Sequence, residues 1–94
     1  MPKPCVYILA DRPNGVLYVG SSSDLKKRIA RHRNESLEGF TKKYHVHCLV
    51  YYEYVSTSAD ALKLEMKLKR WKRKWKIDLI EKKNPDWKDL FDTV

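Results

Sequence analysis

The sequence predicts an α+β fold: a small three-stranded antiparallel sheet flanked by helices, in the order β-β-α-β-α-α with a further short helix at the end. Three observations predict it. Two β-branched and aromatic runs, Cys5 to Ala10 and Val16 to Val19, flank a turn sequence. Two later stretches repeat apolar residues at helical spacing behind serine, threonine and aspartate caps. A third β-branched and aromatic run, Val46 to Val55, lies between them. Ninety-four residues leave room for one core, so residues 1–94 read as one domain.

The first two runs form a hairpin around Asp11-Arg12-Pro13-Asn14-Gly15. Proline pre-sets one dihedral, and Asn-Gly tolerates positive φ. Each strand carries one tyrosine, Tyr7 and Tyr18. With an even number of residues in the loop, period-two geometry puts both on one face. Val6, Ile8, Leu17 and Val19 then fill the other face as an apolar surface. Gly20 follows at the strand end, where a missing side chain lets another group approach the backbone.

The net charge of +8 is high for this length and favours polyanions, nucleic acid before an anionic membrane surface. The plainer reading of that charge is solubility. Met1-Pro2-Lys3-Pro4 has no apolar segment of a secretion signal, and no run is long enough to span a bilayer. The expected location is cytoplasmic. Cys5 and Cys48 fall in apolar strand context and read as reduced core residues.

Ser21-Ser22-Ser23-Asp24 supplies caps for a helix from about Leu25 to Arg33. Leu25 and Ile29 form its buried stripe. Arg28 and His32, four apart, stack on the border of that stripe, beside the sheet. Lys26, Lys27 and Arg31 point toward water. Arg28 is thus the cation placed to reach the hairpin; its plainer reading is a packed stem with its head on a surface acid. Asn34 to Tyr44 reads as a loop. His45-Val46-His47-Cys48 matches no zinc spacing. Tyr51, Tyr52 and Tyr54 of the third strand suit packing better than base stacking.

Ser56-Thr57-Ser58 caps the second helix, with Asp60 at capping-box spacing, and the helix runs through Trp71. Ala61, Leu64, Leu68 and Trp71 form its stripe, widened by Leu62 and Met66. Glu65 falls inside that arc. An acid aimed at a core needs a cation, a set of hydrogen bonds or a metal, and Lys69 one turn on is the plain helix partner. Lys63 to Lys76 holds eight lysines and arginines interleaved with Trp71 and Trp75. Lys63, Lys67, Arg70, Lys72, Arg73 and Lys74 suit a phosphate backbone, and the same stretch suits a membrane surface. No Gly or Pro separates one long helix from two, but the apolar phase shifts to Trp75, Leu79 and Ile80, which predicts a bend near Lys72-Arg73. Asn84-Pro85 reads as the start of a last helix, Asp86 to Asp92, with Asn84 as its cap.

This order of elements and residues resembles the GIY-YIG nuclease superfamily over nearly the whole chain, and most closely its small bacterial single-domain members. Cys5-Val6-Tyr7 stands where the family has its first tripeptide, and Tyr18-Val19-Gly20 stands at the second. Arg28 follows at the family's spacing, with His32 one helical turn later. Glu65 matches the family's metal ligand and Asn84 its late polar residue. Cys5 departs from the family's first glycine and adds bulk near the site, while valines replace two isoleucines harmlessly.

The resemblance implies hydrolysis of phosphodiesters in nucleic acid, DNA ahead of RNA, with one divalent ion, Mg²⁺ or Mn²⁺, on Glu65. It implies that Arg28 clamps the phosphate and that Tyr7 orients or deprotonates the attacking water. Tyr18 and His32 position that water or move a proton, and Asn84 bonds the phosphate or a metal-bound water. A protein partner would supply specificity. The rival readings are a nucleic-acid binding module on the same fold without activity, a membrane- or partner-binding basic helix, and a structural domain with core tyrosines.

Overall fold

The structure, a computed structural model, describes residues 3–33 and 45–94. The loop expected from Asn34 to Tyr44 lies outside them. The described elements are β1 (Cys5–Ala10), β2 (Leu17–Ser22), α1 (Leu25–Arg33), β3 (Cys48–Tyr54), α2 (Ser58–Arg70), α3 (Arg73–Lys83) and a 3₁₀ turn (Phe91–Thr93). The predicted α+β class and element order hold for the sheet and the first three of these helices.

The hairpin forms for the local reasons the turn sequence contains. Pro13 enters the turn, Asn14 takes φ 57°, and the Gly15 N–H donates to the Arg12 carbonyl at 3.0 Å. The Asp11 carboxylate accepts from the Val16 N–H at 2.7 Å. Six residues separate the strands, so Tyr7 faces Gly20 and Leu9 faces Tyr18, which places both phenols on one face as expected. The second strand is longer than predicted. It starts at Leu17 and carries on through Gly20 to Ser22, because Cys5 and Val6 continue the ladder opposite Ser22 and Ser21. Gly20 is therefore inside the strand.

The strand order is β2-β1-β3, all antiparallel, with a register shift between Ile8 and Leu9. As the central strand, β1 is buried along its whole length. Each face of the sheet carries a core. Val6, Ile8 and Val19 meet Ala61, Leu68, Ile80 and Trp87 from the α2–α3 side. Cys5, Tyr7 and Leu9 meet Leu25, Ile29, Val46 and Leu49 on the α1 side. Each large apolar side chain so buried stabilises the fold by roughly 1.5–3 kcal/mol. Both cysteines are free, and the Cys5 thiol donates to the Ser22 carbonyl at 3.4 Å within the α1-side core.

Caps set the helix starts. Asp24 accepts from the Lys27 N–H at 3.2 Å, and Thr57 accepts from the Asp60 N–H at 3.1 Å. The basic stretch is two helices: Trp71 and Lys72 take extended ψ of 147° and 148°, which places the break next to the expected bend. The apolar stripe of α2 is narrower than predicted. Leu62 and Met66 are 53% and 49% exposed, and Trp75 on α3 is 49% exposed. A sheet of three short strands covers only a thin strip of helix, and Ala61 and Leu68 fill it.

The expected last helix does not form. The Asn84 side-chain amide donates to the carbonyls of Val50 at 3.1 Å and Lys88 at 2.8 Å, and its oxygen accepts from the Lys88 N–H at 3.0 Å. This ring of bonds closes a turn around Pro85 and ties it to β3. Trp87 takes φ 55°, a costly conformation for a bulky residue, and is buried with its indole N–H on Glu81 at 2.8 Å. Only Phe91 to Thr93 then turn, as a 3₁₀ element. Among the described residues no helix is long and apolar enough to cross a membrane.

Candidate active site

The central strand presents Tyr7 toward α1, 1% exposed, and Gly20 lies opposite it on β2. The pairing is close because Gly20 has no side chain. A Cβ there would stand 2.5 Å from the Tyr7 hydroxyl and 3.1 Å from the Tyr18 ring. The Tyr7 and Tyr18 centroids are 6.4 Å apart. His32, from the last turn of α1 and 2% exposed, closes a triangle with them at 5.9 and 5.4 Å. The Tyr7 hydroxyl and His32 Nε2 are hydrogen-bonded at 3.0 Å.

Burial governs this group. It pushes the Tyr7 phenol up, helped by Tyr18, and the Arg28 charge opposes without reversing it. Burial, then Arg28 and His47, push the His32 imidazole down to about 4. Near neutral pH the bond therefore joins an uncharged phenol and an uncharged imidazole. Arg28, half-buried one turn before His32, acts on Tyr7, His32 and Glu65 through its charge. Among the described residues no acid lies within ion-pair distance of its guanidinium.

Glu65 approaches from the opposite side of β2. Ser21 is paired with Val6, so it points to the α2 face, and its hydroxyl donates to Glu65 Oε1 at 2.5 Å. Lys69 Nζ donates to Oε2 at 2.6 Å. Burial works to raise the Glu65 pKa, but the hydrogen bonds from Lys69 and Ser21 and the charges of Lys69 and Arg28 outweigh it. The net shift is downward and the carboxylate is ionised. The arrangement thus wraps β2, an edge strand among the described residues, at Gly20-Ser21. Two phenols and an imidazole lie on one face, a carboxylate lies on the other, and the charge of Arg28 reaches both.

A family model of the GIY-YIG catalytic domain matches residues 3–78, which include every one of these side chains. The chain belongs to the GIY-YIG family. It is 38% identical over 80 residues to a UPF0213 protein of Staphylococcus saprophyticus, covering 85% of this chain and 96% of that one. A UPF0213 protein of Staphylococcus epidermidis is 35% identical over 81 residues, 86% of this chain and 98% of that one. Another, of Staphylococcus haemolyticus, is 32% identical over 83 residues, 88% of this chain and the whole of that one. No solved structure matches the chain significantly. Membership implies a nuclease-type function, and with it nucleic-acid binding.

Within this GIY-YIG domain, the structure packs Tyr7, Tyr18, Gly20 and His32 together, with Arg28 one turn before His32 on α1 and Glu65 across β2. Asn84 is not among them. It lies beyond the matched span, 5% exposed, and its amide is engaged by backbone. The basic residues Lys63, Lys67, Arg70, Lys72, Arg73 and Lys74 are all exposed. Arg73 donates to the carbonyls of Asn14 and Gly15, which ties α3 to the hairpin turn. Lys67 and Lys72 lie 5.8 and 5.7 Å from the centroids of Trp71 and Trp75. Lys74 pairs with Asp78 at 3.2 Å. A polar hollow of about 230 Å³, lined by Lys27, Arg28 and Arg31 with Ser22 to Asp24, adjoins Arg28.

From the sequence Ser21 reads only as a cap. The signal that finds it is the strand period: one residue past Gly20 must point away from the tyrosines, toward the helix that carries Glu65. Among the described residues no group of three or more His, Cys, Asp or Glu is set to hold a metal. One ionised carboxylate beside a hydroxyl suits a hard cation that keeps most of its water, such as Mg²⁺ or Mn²⁺, and does not suit zinc.

Proposed function

We propose that the protein is a metal-dependent endonuclease that hydrolyses phosphodiester bonds in nucleic acid, DNA ahead of RNA. The observation that carries this reading is the convergence at the β2 edge: ionised Glu65 on one face, the Tyr7–His32 pair on the other, and the Arg28 charge acting on both. Arg28 binds the scissile phosphate and offsets the added negative charge of the transition state. Tyr7 is a weak base alone, because burial holds its proton. Its bond to His32 supplies a route: the phenol passes its proton to the imidazole nitrogen as it takes one from the attacking water. Tyr18 packs beside both and positions that water.

Glu65 and Ser21 would hold the divalent ion, which when bound neutralises charge on the phosphate and the leaving oxygen. The exposed Lys63, Lys67, Arg70, Lys72 and Lys74 contact the phosphate backbone without reading bases. Arg73 acts through the hairpin turn that it grips. Asn84 is a positioning residue for the C-terminal segment rather than a phosphate contact.

The test is Glu65→Ala. Mg²⁺-dependent nicking of supercoiled plasmid is expected to disappear, while binding of a DNA duplex in a gel-shift assay stays within about twofold, since binding rests on the helix cations. Wild-type nicking by this variant ends the assignment. One observation favours the second reading, a binding module without activity: both oxygens of Glu65 already have partners. Absence of cleavage of both DNA and RNA by the wild-type protein in Mn²⁺ would select it.

A further inference from the structure

The pair between Glu65 and Lys69 contains more than a helix contact. An exposed Glu–Lys pair four residues apart is common and weak. Here the two partners differ sharply: the Glu65 side chain is 16% exposed and the Lys69 side chain 51%. Glu65 is fixed from the sheet side by Ser21 on Oε1. Lys69 reaches Oε2 from the solvent side, at 2.6 Å. Of the two bonds, the one to Lys69 is therefore the one that opens at small cost. A cation that approached from this solvent-facing side would meet the same oxygen. It cannot share that oxygen with an ammonium group, because like charges at contact distance repel strongly.

We propose that the Lys69 ammonium is a built-in stand-in for the divalent ion, so that Lys69 and the metal exclude one another at Glu65 Oε2. This rests on the reading of Glu65 as the metal ligand. Without metal, Lys69 keeps a half-buried carboxylate paired and holds its oxygens in place. When metal binds, Lys69 swings into solvent beside the other exposed cations of α2, where it adds a positive charge for the nucleic-acid backbone. Metal occupancy and backbone binding are then coupled through one flexible side chain. Ser21 stays in place and is the positioning residue.

The experiment is a Mn²⁺ titration of the full chain followed by electron paramagnetic resonance, which counts bound ion without any turnover. Lys69→Met keeps the stem and removes the charge. It is expected to bind Mn²⁺ roughly two- to fivefold more tightly than wild type, the range that a released partly exposed pair supplies. Lys69→Arg, which keeps the cation, is expected to stay near wild type. Glu65→Gln is expected to lose the ion in either background. Equal affinity in Lys69→Met and wild type, with the ion lost in Glu65→Gln, overturns the exclusion and leaves the metal reading standing. Equal affinity in Glu65→Gln and wild type, or no bound ion in any variant, overturns the metal reading, and the exclusion falls with it.

Discussion

On the α1 side of β2, Tyr7 and His32 are 1% and 2% exposed and bonded to each other without formal charge. On the α2 side, Glu65 meets Lys69 in an ion pair whose cation is half in water. The same two residues of one strand, Gly20 and Ser21, separate these halves. Gly20 admits the phenol, and Ser21 holds the carboxylate. The first half is shaped by desolvation and close contact, which salt does not screen. The second is shaped by charge near solvent, which salt does screen. A hydrolytic site of the proposed kind needs both, a rigid pair to move a proton and an open carboxylate that exchanges its partner.

The largest effect that can break this contrast is acid. His32 has a folded pKa of about 4 against an ordinary 6.5. The unfolded chain then binds a proton that the folded chain refuses between those values, so stability rises with pH across the window and is flat above it. The stabilisation present above pH 6.5 is on the order of 3 kcal/mol and is lost as pH falls through about 4. Urea unfolding at a series of pH values measures it. His32→Gln keeps a hydrogen-bonding group and does not titrate, so its slope between pH 4 and 6.5 is expected to be much shallower than wild type. An unchanged slope would place the imidazole in water and dissolve the dry half of the comparison.

Gly20→Ala comes next. The added Cβ meets the Tyr7 hydroxyl at 2.5 Å and Cζ at 2.6 Å, and Tyr7 sits on the central strand against Leu25 and Ile29. The ring cannot retreat without disturbing that core, so the cost is about 1–3 kcal/mol. Moving the ring also opens the bond to His32. An NMR titration of His32 is expected to show its pKa rising toward the ordinary value, an effect that a loss confined to strand propensity does not produce.

What the sequence displayed and what it concealed divide along similar lines. The hairpin, its shared tyrosine face and the start of α1 depend on contacts within a few residues: Pro13, Asn14 and Gly15 in the turn, Asp24 at the cap. They could be read. The break at Trp71-Lys72 was visible as a shift of apolar phase. The proposed site residues Tyr7, Tyr18, Arg28, His32 and Glu65 are singled out by the family resemblance together with strand and helix periods. Asn84-Pro85 carried a strong helix-start signal, yet long-range bonds to Val50 and the burial of Trp87 override it. Leu62, Met66 and Trp75 are apolar but exposed, because a helical period shows an arc and not how much of the arc a sheet covers. The Ser21–Glu65 bond spans 44 residues, and a single sequence carries no direct sign of it.

The smallest expected effect is also the sharpest for the ionic half. Glu65→Gln removes the charge and retains an acceptor for the Ser21 hydroxyl. Since Lys69 is half exposed, solvent discounts the pair, and the loss of stability is expected to stay below about 1 kcal/mol. What remains of it shrinks further in 1 M salt, where the screening length is only about 3 Å. Thermal and urea unfolding in low and high salt measure both numbers. A salt-independent loss as large as that of Gly20→Ala would mean that the carboxylate is built into the fold like the phenol opposite it. Its oxygens would then be no more exchangeable than the Tyr7–His32 bond, and an ion site on Glu65 would have to displace structure rather than a mobile side chain.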